Sequence, residues 1–83
     1  MPSSEGKVMT IGEYRVGISF NPGGNPLVDK LKRAAADLID MVDAIQAKDT
    51  SDEVPRLKAL AMTHIEDAAM WAVKAATKPT FGT

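Results

Sequence analysis

The chain has 83 residues, enough for one domain and a single marginal core, a size at which disulfides, metals or association commonly supply the missing stability. It holds no cysteine and one histidine, His64, which excludes disulfides, thiolate metal sites and a protein-only metal cage, and leaves association as the remaining route. Ten basic residues against eleven acidic ones give a formal net charge of -1 and exclude the overall positive field of a duplex DNA binder, so any basic site is local.

In chain order, Met1 to Lys7 are small and polar, with nothing to bury and no apolar stretch resembling a signal peptide; residues 1–7 read as a disordered lead-in and residues 8–83 as one domain. No apolar run approaches the roughly 20 residues of a membrane-spanning helix, and the expected location is the cytoplasm. Tyr14, Val16, Ile18 and Phe20 then alternate with Arg15, Gly17 and Ser19, which predicts a β-strand over 13–20 after a turn at Gly12-Glu13. A lone strand or hairpin is unstable in water, so this piece must lie on a helix or pair with another subunit.

Asn21-Pro22-Gly23-Gly24-Asn25-Pro26 is dense in turn chemistry, with Asn25 suited to an N-cap and Pro26 to the first helical position. The steps of four and three in Leu27, Leu31, Ala34, Leu38, Val42 and Ile45, flanked by Val28, Ala35, Ile39 and Met41, predict a helix over 26–47 with a broad apolar face. The polar segment Lys48 to Asp52 has the length of an antiparallel helix connection. Asp52 suits an N-cap, and Val54, Leu57, Leu60, Ile65, Ala68, Ala72 and Ala76 predict a second helix over 53–77, halted by Pro79. The expected fold is therefore mainly α: a short N-terminal strand or hairpin followed by an antiparallel two-helix hairpin. Its spare apolar width implies a homo-oligomer.

Catalysis finds little support in the residues. His64 has no motif-fixed nucleophile beside it, and Glu66-Asp67 are adjacent on a helix, so their carboxylates point about 100° apart and form no acid–base pair within one chain. No catalytic residue, metal site or cofactor is expected. Three features suit binding instead. The Gly23-Gly24 turn feeds a helix N-terminus, which is either an anion site or a simple capped turn. Met70 and Trp71, followed by Lys74 and Lys78, suit a nucleobase with a phosphate, or else core packing with dipole-matching lysines. Arg15, Lys30, Lys32 and Arg33 make a phosphate-facing patch or an ordinary solvated surface.

The segment His64 to Pro79, preceded by Ser19-Phe20-Asn21-Pro22-Gly23-Gly24-Asn25 and Ala36-Asp37-Leu38-Ile39-Asp40, resembles the phage-encoded helical-hairpin sponges that inhibit bacterial CBASS or Thoeris immunity by sequestering cyclic nucleotide messengers. The resemblance covers about residues 8–80 and is closer to the anti-Thoeris branch. It implies a homohexamer in the cytoplasm of an infected bacterium, with ligand pockets between subunits. The implied ligands are cyclic ADP-ribose isomers, cyclic dinucleotides or cyclic trinucleotides, bound and not degraded. By position Lys74 matches a phosphate-contacting basic residue of the family's terminal helix, where arginine is frequent and lysine lacks the bidentate fork; Pro79 matches its closing proline. The candidate ligand-binding residues are thus Arg15, Phe20, Asn21, Gly24, Asn25, Met70, Trp71, Lys74, Lys78 and Pro79. The competing reading is a non-catalytic helical-hairpin adaptor or phage structural subunit.

Overall fold

The structure, a computed structural model, describes residues 8–48 and 52–81; the lead-in over 1–7 and residues 49–51 of the connection lie outside it. Three helices follow one another: α1 (Ile11–Val16), α2 (Pro26–Asp43) and α3 (Glu53–Thr77). Among the described residues there is no strand, so the β-strand over 13–20 is corrected to helix α1 and a turn.

The reason is local. Thr10 and Glu13 form a capping box: the Thr10 hydroxyl accepts the Glu13 N–H at 3.1 Å, and the Glu13 carboxylate accepts the Thr10 N–H at 3.0 Å. At the other end Gly17 adopts φ 65, the left-handed conformation. Its N–H reaches the Tyr14 carbonyl at 3.2 Å while the Ile18 N–H reaches the Glu13 carbonyl at 3.0 Å, the two bonds of a Schellman ending. The left-handed residue breaks the extended path that the alternation of Tyr14, Val16, Ile18 and Phe20 would require.

α1 lies on α2 at very close range through Gly12, which is buried. A Cβ at that position would fall 2.1 Å from the Ala36 carbonyl oxygen, so only glycine allows this crossing. Gly12 is thus the contact point of two helices and does not belong to a turn. Its N–H donates to the Asp40 carboxylate at 2.7 Å, which places negative charge on the free amides of the α1 N-terminus.

α2 begins as its turn chemistry predicts, with the Asn25 side-chain oxygen accepting the Leu27 N–H at 2.9 Å and Pro26 in the first position. It stops at Asp43, short of the Ala47 expected. The Asp43 carbonyl, which a longer helix would offer to the Ala47 N–H, accepts Lys58 Nζ of α3 at 2.8 Å, and the Ile45 carbonyl accepts the same ammonium. Asp52 sits at the N-cap of α3 with helical φ and ψ and makes no side-chain cap bond. Glu53 instead pairs with Arg56 one turn on. Lys58 against the end of α2, and Asn25 Nδ2 donating to the Ala76 carbonyl at 3.4 Å, fix α2 and α3 as antiparallel.

The buried face of α2 is Val28, Lys32, Ala36 and Ile39, packed with Ala69 of α3. This is one residue out of phase with the expected stripe. Leu27 and Leu38 stay half exposed and Ala34 is exposed; Leu31, Ala34 and Leu38 with Ile65 and Ala72 line an open apolar groove. The Cα atoms extend only 14 Å along the shortest principal axis, so the protomer is a plate about one helix layer thick.

Candidate functional site

Two neighbouring cavities lie where α1 and the turn after it meet α3. The first, of about 200 Å³, is lined by Arg15, Val16, Lys32, Glu66, Ala69, Met70 and Val73. The second, of about 310 Å³, is lined by Phe20, Asn21, Pro22, Gly23, Asn25, Val28, Lys32, Val73 and Thr77. α1 brings Arg15 to this site because its C-terminal turn faces the middle of α3. The turn from Gly17 to Asn25 brings Phe20 and Asn21.

Arg15 is not a free cation. Its Nε donates to Glu66 Oε1 at 2.9 Å, and its terminal nitrogen lies 3.5 Å from the Thr63 hydroxyl. Arg33 is likewise engaged on the opposite side of α1 with Glu13 and Asp37, both at 2.8 Å; hydrogen bonding to Glu13 and then Asp37 raises its pKa above the ordinary arginine value. Lys32 is buried. These three residues therefore make no common phosphate-facing patch, and Lys30 alone of the four stands exposed without an ion pair among the described residues.

The asparagines of the turn are used by the fold. Asn21 Nδ2 donates to the Asn25 carbonyl at 2.8 Å and to Asp29 at 2.9 Å, and Asn21 Oδ1 accepts the Asn25 N–H at 3.2 Å. Asn25 caps α2 and tethers the turn to the C-terminal end of α3. Both line the larger cavity while their amides are already bonded. Gly24 adopts φ 63 with open space beside it, so its conformation calls for glycine while its surroundings do not.

The remaining candidates fall elsewhere. Met70 lines the smaller cavity and is 60% exposed. Trp71 is 61% exposed and lines neither cavity, so it is not part of the protomer's core. The Lys74 ammonium lies 5.3 Å from the Trp71 ring centroid, a cation–π pair on the open side of α3. Lys78 ends α3 and, like Pro79, is exposed. The structure thus brings Arg15, Phe20, Asn21, Asn25 and Met70 to one concave site and holds Trp71 and Lys74 together on another surface. His64 is exposed and lines neither cavity. Among the described residues no group of three or more His, Cys, Asp or Glu could hold a metal, and no helix is long and apolar enough to cross a membrane.

Sequence reasoning placed Lys32 in a surface patch and not in the inner face of α2, and did not single out Val73 or Glu66 as lining residues. The signal for Lys32 was present: it falls in phase with Val28, Ala36 and Ile39, so a lysine occupied a position of apolar period. A family model, that of the Acb2/Tad1 hairpin domain, matches the chain over residues 13–77. No curated protein and no solved structure matches it.

Proposed function

Because the chain belongs to the Acb2/Tad1 hairpin-domain family, we propose that it binds cyclic nucleotide messengers of bacterial antiviral immunity and holds them intact, as a sponge and not an enzyme. The observation that carries this reading is the family match, which spans α2 and α3 completely. The messengers are cyclic ADP-ribose isomers, cyclic dinucleotides or cyclic trinucleotides, and the place of action is the cytoplasm of the infected bacterium.

The exposed apolar surface of the protomer supports association, and the family resemblance supplies its form, a homohexamer with pockets between subunits. Leu38, Met41, Leu57, Leu60 and Trp71 are each 44% exposed or more, a large apolar area for an isolated chain. Trp71 paired with Lys74 offers a ring and a cation to whatever a neighbouring subunit holds beside it, and Lys78 and Pro79 follow on the same helix end. Stacking on an exposed indole and a charge-assisted contact to phosphate are the interactions a cyclic nucleotide requires. To drain a messenger from its receptor, affinity must reach roughly the nanomolar range, about -12 kcal/mol, which calls for an enclosed site and therefore for more than one subunit.

The competing adaptor reading draws on the same exposed apolar groove. Native mass spectrometry after incubation with a panel of cyclic nucleotides decides between them. Retained ligand of unchanged mass on an oligomer is the expected result; no retained ligand, or a hydrolysed product, overturns the proposal.

A further inference from the structure

α3 carries a second periodicity beside the one that packs it against α2. Leu57, Leu60, His64, Asp67, Trp71 and Lys74 follow one another at alternating steps of three and four, the heptad spacing with which a helix seats along a partner helix. At about 100° per residue this stripe lies on the side of α3 opposite Ala69, the residue that α3 buries in the hairpin. All six are exposed in the protomer, Leu60 to 44% and Trp71 to 61%. None of them lines the two cavities beside α1 or the apolar groove, so the stripe is a separate surface. The next positions of the same spacing are Glu53 at one end and Lys78 at the other.

The stripe is its own complement when a second copy runs antiparallel to it. A two-fold axis between positions 64 and 67 sets His64 beside the partner's Asp67, Leu60 beside the partner's Trp71, and Glu53 beside the partner's Lys78. Leu57 falls beside the partner's Lys74, whose alkyl stem covers apolar surface while its ammonium stays in water. Each pairing joins apolar surface with apolar surface, or a carboxylate with an imidazole or ammonium, and by symmetry each occurs twice. A parallel copy would instead set Glu53, Asp67, Lys74 and Lys78 each against itself, and like charges repel. We propose that α3 pairs antiparallel with α3 of a second copy along this stripe, in the register that places His64 on the partner's Asp67 and Trp71 on the partner's Leu60. The inference rests on the self-assembling reading of the chain and names the face and register of one of its contacts. Trp71 then serves assembly, its ring against a leucine, in place of the base stacking considered for it; the cation–π pair with Lys74 in the same protomer holds the indole on the stripe.

Because the chain holds no cysteine, introduced thiols report the register without background. Leu57 and Lys74 are 17 positions apart, about 25 Å along the helix, so two thiols placed there cannot join within one chain. In the antiparallel register each lies beside the other residue of the partner. Under mild oxidation the full-length Leu57→Cys/Lys74→Cys variant is expected to give a covalent dimer whose digest contains the 57–74 disulfide, and Leu57→Cys and Lys74→Cys alone are expected to give none. His64→Asp sets two carboxylates together and is expected to raise the dissociation constant of assembly by roughly tenfold or more, read by light scattering over a dilution series. His64→Asp/Asp67→His exchanges the two groups across the axis and is expected to restore assembly, with circular dichroism on every variant checking that helix content is kept. Disulfides joining 57 to 57 or 74 to 74, an assembled double-cysteine variant without the 57–74 disulfide, or no recovery in the exchanged variant overturns the seam. The second of these leaves self-association and the sponge reading standing, whereas a wild type that stays near 8.9 kDa removes self-association and the seam together.

Discussion

At the scale of single residues, the positions that matter most are those where one atom too many or one charge too few cannot be absorbed. A Cβ on Gly12 would meet the Ala36 carbonyl oxygen at 2.1 Å and the Asp40 carboxylate at 2.8 Å. Backbone cannot rotate aside as a flexible side chain can, so Gly12→Ala is expected to destabilise the protomer by about 1–3 kcal/mol or more, read as a lower urea midpoint. Lys74 is the opposite case. It is exposed, and its cation–π contact with Trp71 is worth about 0.5–1 kcal/mol at such a site. Lys74→Ala should therefore leave the melting temperature nearly unchanged. If Lys74 holds a ligand phosphate, the same substitution should weaken calorimetric affinity for the bound messenger by roughly ten- to a hundredfold. Unchanged affinity would place it outside the site. The candidate residues could be named from the sequence, but the way the fold groups them could not. Arg15 and Glu66 are 51 positions apart, and nothing local announces that one neutralises the other.

At the scale of elements, α1 records a contest between two local signals. Alternation from Tyr14 to Phe20 favoured a strand, while Thr10-Ile11-Gly12-Glu13 carried the spacing of a capping box and Gly17 the position of a helix stop. The caps won because each satisfies backbone groups of the helix directly, whereas the alternation had no partner strand to reward it. Tyr14 and Phe20, the ends of the supposed apolar face, are 73% and 71% exposed. Thr10→Ala and Gly17→Ala are each expected to cost about 1 kcal/mol. The loss should be confined to α1, appearing as faster hydrogen exchange of residues 11–16 while amides in the middle of α2 and α3 keep their protection. Equal acceleration in all three helices would show that α1 is an inseparable part of the hairpin. The hairpin itself was legible, because turn chemistry at Asn25-Pro26 and the helical period on either side of the polar connection are signals of short range. Its inner face was misjudged by one residue. Leucines at 27, 31 and 38 drew the stripe toward themselves, and a lysine at position 32 disguised the line that α2 turns inward.

At the scale of the whole molecule, the protomer buries few apolar side chains, and the leucines that looked like core form an open groove with Ile65 and Ala72. Light scattering is expected to report a mass several times 8.9 kDa, and a mass near 8.9 kDa in dilute buffer would refute assembly. Leu38, 46% exposed within the protomer, lies in that groove, so Leu38→Asp is expected to lower the assembled mass more than the helix content. Circular dichroism and light scattering on one sample separate the two effects. Assembly also links stability to concentration, and the melting temperature of the wild type should fall on dilution. The plate-like shape, 14 Å across its thinnest direction, carries a consequence for how such a gene changes over time. A chain with almost no interior of its own has few positions answerable to its fold alone: Gly12, Val28, Ala36, Ile39 and Ala69. If the chain assembles with itself as proposed, the remainder can drift as long as a copy of the same chain drifts to match, since one substitution is then repeated in every subunit at once. Such a chain is then expected to keep its helical spacing and a handful of small residues while its outer surfaces change.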